Sequence, residues 1–147
     1  MELNNKVALV LGAIKGIGKG IALSLADGGV NVALNYFDWE EELAALENDF
    51  AKANGDHLIL KTNLRETNAI PAIIHKVIDR FGHLDILINN IERGGWPVVH
   101  GPYNQQQWDL EIETTLRAKR WVFDAALPHL KATGDAVAVS YTHLRAH

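Results

Sequence analysis

Gly12, Gly16 and Gly18, with Lys15 among them, are the residues whose types and spacing point most directly to chemistry. That chemistry is anion binding rather than bond making, because glycine leaves no Cβ between backbone N–H groups and an approaching ligand. Residues 7–11 before them form an apolar run of buried-strand type, and Ile21, Leu25 and neighbouring alanines behind them recur at helical spacing. A strand, a glycine turn and a helix N-terminus together make a pyrophosphate site, since unpaired N–H groups and the helix dipole both favour negative charge. Three glycines alone fit a plain tight turn equally well. The context argues for the site, because a second apolar run at 30–34 follows Gly28 and Gly29 and completes a unit of βαβ length.

The elements needed to hold such a turn recur along the chain. Apolar periodicity predicts strands at 7–11, 30–35, 57–61, 84–89 and 136–139, alternating with helices at 18–26, 39–53, 67–81 and 105–131. Pro71 is tolerated in the third helix because it falls in the first turn. Glu40, Glu41 and Glu42 read as a solvated first helical turn that complements the dipole. The fold class expected is α/β, a doubly wound parallel sheet of Rossmann type ending after about the fifth strand, with its ligand at the carboxyl ends of the strands.

Composition limits the alternatives. With 147 residues and 48% hydrophobic content the chain suffices for one core and one domain, placed at 1–138. Eighteen acidic against 14 basic side chains, a net charge of −4, leave no basic stripe for nucleic acid. The lack of cysteine removes disulfides, thiolate zinc sites and cysteine nucleophiles. No apolar run approaches the roughly 18 residues of a membrane span, and no signal-peptide pattern opens the chain, so a cytoplasmic protein without membrane partners is expected. The histidines are scattered without ligand spacing, so no metal site is expected.

The glycine spacing is G-x-x-x-G-x-G, not the G-x-G-x-x-G of the common dinucleotide fingerprint. In this it resembles the short-chain dehydrogenase/reductase family, in particular the branch containing the 3-oxoacyl-carrier-protein reductases. The likeness continues through Thr62-Asn63-Leu64 and through Gly82 to Asn89-Asn90, and covers nearly the whole chain to about Ala138. Leu11 stands where that family usually carries Thr. The resemblance implies an oxidoreductase that moves a hydride between a nicotinamide cofactor and a small carbonyl or alcohol substrate, and a full-length protein that is a homo-oligomer. It also implies cofactor contacts from Gly12, Lys15, Gly16, Ile17, Gly18, Tyr36, Asn63, Leu64 and Asn90.

NADP(H) is favoured over NAD(H) on charge. Tyr36 occupies the position where NAD-preferring relatives carry Asp, and Lys15 stands where NADP-preferring relatives carry Arg or Lys. Asp38 is a counterweight, and a solvated loop lysine is the other reading of Lys15.

Catalysis in the family rests on a tyrosine, a lysine four residues later, a serine and an asparagine; the ammonium lowers the pKa of a phenol that otherwise titrates near 10. This chain contains no Tyr-x-x-x-Lys. Seven residues past Trp108, at the asparagine position, stands Thr115, and Ser140 lies beside the serine position, which Tyr141 fills. Thr115 and Ser140 are therefore the catalytic candidates, in a chain expected to be an inactive fragment.

Residues 139–147 resemble one reading frame of a sequencing adapter and are expected to be a non-native tail, in which Tyr141, His143, Arg145 and His147 have no function. Relatives follow Asn-Asn with Ala-Gly, whereas this chain continues Ile91-Glu92-Arg93-Gly94-Gly95-Trp96-Pro97. Either Gly94-Gly95 takes over the close approach to the cofactor or the nicotinamide end has changed. Glu92 and Arg93 could meet a polar substrate or simply pair and face solvent, while Trp96 and Trp108 read as packing residues. A dinucleotide-binding protein without redox chemistry thus remains the alternative, carried by Glu92 and Thr115. An uncovered apolar face through Ile112, Leu116, Val122 and Leu127 and an open edge at the fifth strand are expected as well.

Overall fold

A computed structural model describes residues 2–91 and 104–141. Five strands, β1 (Val7–Leu11), β2 (Asn31–Tyr36), β3 (His57–Lys61), β4 (Ile86–Asn89) and β5 (Val137–Ser140), form one sheet in the order β3-β2-β1-β4-β5. Every pairing is parallel. The sheet therefore requires crossovers, and helices fill them.

Central strand β1 is buried on both sides, which is why its sequence is continuously apolar rather than alternating. Val7, Leu9 and Leu11 enter one core and Ala8 and Val10 the other, as the two-residue period demands. The second core receives α1 (Gly16–Asp27) through Ala22 and Ala26, and α2 (Leu43–Phe50) through Leu46 and Phe50. The first receives α3 (Ala69–Phe81) through Ile70, Ile73, Ile74 and Val77, a helical stripe that stops at Gly82 with φ +86°. Pro71 lies in the first turn of α3, where its missing N–H is not needed.

Two expected helices are more segmented than their periodicity implies. In the stretch 39–53 Trp39 adopts a left-handed conformation (φ +65°) that keeps it out of any helix, and a 3-10 turn, Glu40–Glu42, and then α2 follow it. The stretch 105–131 runs as α4 (Gln105–Glu111), a π-helical segment Ile112–Ala118 and α5 (Lys119–Thr133). Asn104 and Gln107 cap α4 reciprocally, each side chain serving the other's backbone N–H.

The expected uncovered face is only partly found. Val122 is fully buried in the α3 core, whereas Leu116 is 63% exposed. Trp108, expected to pack, is instead 54% exposed. Strand β5 is exposed throughout.

At the amino-terminal end of the sheet Asp85 is buried and saturated. Its carboxylate accepts from the Val7 N–H at 2.9 Å and the Lys6 ammonium at 3.0 Å, with His83 Nε2 at 3.1 Å.

Candidate functional site

β1 is flanked by β2 and β4, whose connections leave in opposite directions, so a crevice opens at the carboxyl ends of these strands. The glycine turn leaves β1 there. Gly12, at φ +67°, is pressed against the end of β4: a Cβ on it would lie 3.1 Å from the Asn90 carbonyl oxygen. Asn90 Nδ2 donates to the Gly12 carbonyl at 3.1 Å, and the Ala13 N–H donates to the Asn35 carbonyl at 2.9 Å, tying the turn to both neighbouring strands.

Gly16 also has positive φ, +58°, yet the space where its Cβ would stand is empty. Gly12 is needed for packing; Gly16 faces an open cavity. Helix α1 starts here with Lys15 as an extended N-cap, no side-chain cap and no acidic residue in its first turn. Its N-terminal field is thus left for a ligand. Gly18 has a different part, since a Cβ there would approach the Gly12 carbonyl oxygen to 2.2 Å and Asn90 Nδ2 to 2.6 Å. It lets α1 seat closely on the turn.

The cavity, about 510 Å³, brings together the other eight positions the sequence marks for the cofactor: Gly12, Lys15, Gly16, Ile17, Tyr36, Asn63, Leu64 and Asn90. Tyr36 ends β2, mostly buried. Asn35 beside it donates from Nδ2 to the Thr62 carbonyl at 3.1 Å, and the Thr62 N–H donates to the Tyr36 carbonyl at 2.8 Å, which sets the wall formed by Asn63 and Leu64. The Asn63 side chain serves its own loop, accepting from the Arg65 N–H at 3.2 Å and donating to Glu66 at 3.1 Å. Leu64 is buried in the α3 core, so its backbone rather than its side chain is free to meet a ligand.

Four cavity residues escape a reading of periodicity: Trp39, Arg65, Leu110 and Thr114. Trp39 lies where helical spacing was expected, although its place three residues beyond the end of β2 put it near a strand's carboxyl end. Lys15 Nζ sits 2.9 Å from its ring centroid. Arg65 bonds Glu113 across the cavity, NH2 at 2.7 Å and Nε at 2.8 Å, and this holds the Glu113 carboxyl below its ordinary pKa, with Arg117 adding to the effect.

Thr115 and Ser140 line a second depression of about 330 Å³, which Asn89 and Lys119 also border. Asn89 is buried; its Nδ2 donates to the Lys119 carbonyl at 3.0 Å, while the oxygens Asn89 Oδ1 and Asn90 Oδ1 are buried with no hydrogen-bond partner. The two cavities thus meet at Asn89 and Asn90. Lys119 Nζ donates to the Tyr141 carbonyl. Glu92, Arg93, Gly94, Gly95, Trp96 and Pro97, like His143, Arg145 and His147, lie outside the described residues.

Among the described residues no three His, Asp or Glu side chains are grouped to hold a metal, and no helix is long and apolar enough to cross a membrane. The cavity fits a dinucleotide in its own terms: an uncapped helix start, an open space at a glycine, and orphaned amide oxygens at its inner end.

Comparison with known proteins agrees. The sequence pattern of the short chain dehydrogenase family matches residues 6–143. A 3-oxoacyl-acyl-carrier-protein reductase of Staphylococcus aureus is 35% identical over 127 residues, covering 85% of this chain and 50% of the relative. A hydroxynaphthalene reductase-like protein of Metarhizium robertsii is 31% identical over 141 residues, covering 95% of this chain and 52% of the relative. This chain therefore spans about half the length of these curated relatives. Among solved structures, a metagenomic short-chain oxidoreductase in complex with NADP superposes with a TM-score of 0.80 at 30% identity, covering 94% of this chain and 62% of that one. A short-chain dehydrogenase/reductase variant from Serratia marcescens gives 0.77 at 27% identity, with 88% and 53% covered.

Proposed function

The chain belongs to the short-chain dehydrogenase family, and we propose that its cavity holds a nicotinamide dinucleotide for hydride transfer with a small carbonyl or alcohol substrate. The observation that carries this reading is Gly16, held at φ +58° beside open space at the uncapped start of α1. The Gly16 and Ile17 N–H groups would hold the pyrophosphate, and Asn63 and Leu64 the adenine. When bound, the nicotinamide gives or takes the hydride.

NADP(H) is the cofactor this charge pattern suits. β2 ends in Tyr36 rather than in a residue with a carboxylate, and Lys15 lines the same cavity. An ammonium there attracts a 2′-phosphate, and a carboxylate would repel it. Asn89, Thr115 and Ser140 border the depression where a substrate would meet the inner end of the cofactor. They can orient a carbonyl by hydrogen bonding but do not make a proton donor tuned to neutral pH. The sequence contains no Tyr-x-x-x-Lys. A dinucleotide-binding protein without redox chemistry is the second reading, favoured by Thr115 at the position where relatives place asparagine.

Calorimetric titration with NADPH and NADH tests the cofactor assignment. Lys15→Ala is expected to weaken NADPH about tenfold, ~1.4 kcal/mol, and to leave NADH nearly unchanged. Equal losses for both would make Lys15 a loop residue only.

A further inference from the structure

Trp39 is an exposed, strained aromatic at the rim of the cavity. It is 52% exposed, and its backbone lies at φ +65°, ψ +47°, a region bulky L residues rarely adopt. This conformation stands between the end of β2 and the 3-10 turn Glu40–Glu42, and with it the indole lies under the Lys15 ammonium, whose Nζ is 2.9 Å from the ring centroid. Nothing in the core needs this side chain: Trp39 belongs to neither hydrophobic cluster.

The other cation lining the cavity is differently disposed. Arg65 is neutralised by Glu113 at 2.7 Å. Two acids of the neighbouring segments are paired elsewhere, Glu40 with Lys61 at 2.8 Å and Asp49 with Lys19 at 2.6 Å. An aromatic face restrains an ammonium without cancelling its charge, whereas an ion pair does cancel it.

We propose that Trp39 is a specificity-determining positioning residue, whose indole holds the Lys15 ammonium at the cavity rim for the 2′-phosphate of an adenosine nucleotide. The proposal rests on the cofactor reading above and deepens it. Trp39 touches no reacting atom; it acts through Lys15. It sets the difference between phosphorylated and unphosphorylated ribose and leaves the adenine and pyrophosphate contacts alone.

The test uses the full 147-residue chain and two half-cofactor probes, adenosine 2′,5′-bisphosphate and 5′-AMP, titrated calorimetrically at low ionic strength, with thermal unfolding as a control. The wild type is expected to bind the bisphosphate more tightly. Trp39→Ala is expected to cut that preference about three- to fivefold, by weakening the bisphosphate while 5′-AMP affinity holds. Trp39→Phe, which keeps a ring face, should restore most of it. A purely structural role would move both probes together and would not be rescued by Phe; either result overturns the proposal. If the wild type prefers the bisphosphate and Trp39→Ala keeps the full preference, the proposal falls and the NADP(H) reading stands. If the wild type binds both probes equally, or neither, that reading falls and takes the proposal with it.

Discussion

The two ends of the sheet treat their polar groups in opposite ways. At the amino-terminal end Asp85, the one buried carboxylate among the described residues, meets Lys6, His83 and the Val7 N–H within 3.1 Å. At the carboxyl-terminal end Asn89 Oδ1 and Asn90 Oδ1 are buried without partners, Gly12 and Gly16 sit at positive φ, and α1 begins uncapped. A fold of this size cannot leave many such groups unmet without reason, because each lacks the hydrogen bond that water would give it. On the proposed reading, one end serves stability and the other binding.

The comparison breaks most sharply at Asp85. Asp85→Ala strands the Val7 N–H and leaves Lys6 with only Asp135, 3.9 Å away, so a loss of about 3 kcal/mol in urea unfolding is expected. Cofactor affinity per folded molecule should not change. A variant that lost cofactor binding while remaining folded would erase the division between the ends.

Gly16→Val reverses the pattern. It fills the open space at the carboxyl end and should weaken NADPH at least tenfold, ~1.4 kcal/mol, by calorimetry. Its stability cost should be smaller than that of Asp85→Ala, about 1–2 kcal/mol for a β-carbon at positive φ. Unchanged affinity in the folded variant would remove the pyrophosphate assignment.

Glu113 sharpens the comparison by the smallest amount. Its carboxyl is held below its ordinary pKa by Arg65, so the stabilisation it provides is full above the ordinary carboxylate range and is lost as pH falls through the lowered value. The stability gap between wild type and Glu113→Gln should therefore close on acidification, as urea midpoints from neutral pH to about pH 3 would show. A gap that widened in acid would mean that the Arg65–Glu113 contact does not stabilise the fold.

Most of this architecture is legible in the sequence, and the exceptions have identifiable causes. Strands at 7–11 and 57–61 and the close of the helix at Phe81 follow from burial period and from Gly82, signals that act within a few residues. Trp39 and the π segment Ile112–Ala118 are not legible, because a left-handed residue and an extra residue in a helical turn leave apolar periodicity nearly intact while rotating everything after them. Val122 is buried while Leu116 is exposed, and Trp39 lies beneath Lys15. In the cavity, the glycines and Asn90 could be read from motif spacing, but Arg65, Leu110 and Thr114 could not, since they come from segments that only the folded sheet brings together.

Amide hydrogen exchange with and without NADPH tests the central claim most directly, because it reads both ends of the sheet in one experiment. Slowed exchange is expected at Gly16 and Ile17, with no change at Val7 and Asp85 beyond that of global stabilisation. Protection that appeared at Val7 and Asp85 and spared Gly16 and Ile17, or no protection at saturating NADPH, would contradict the account.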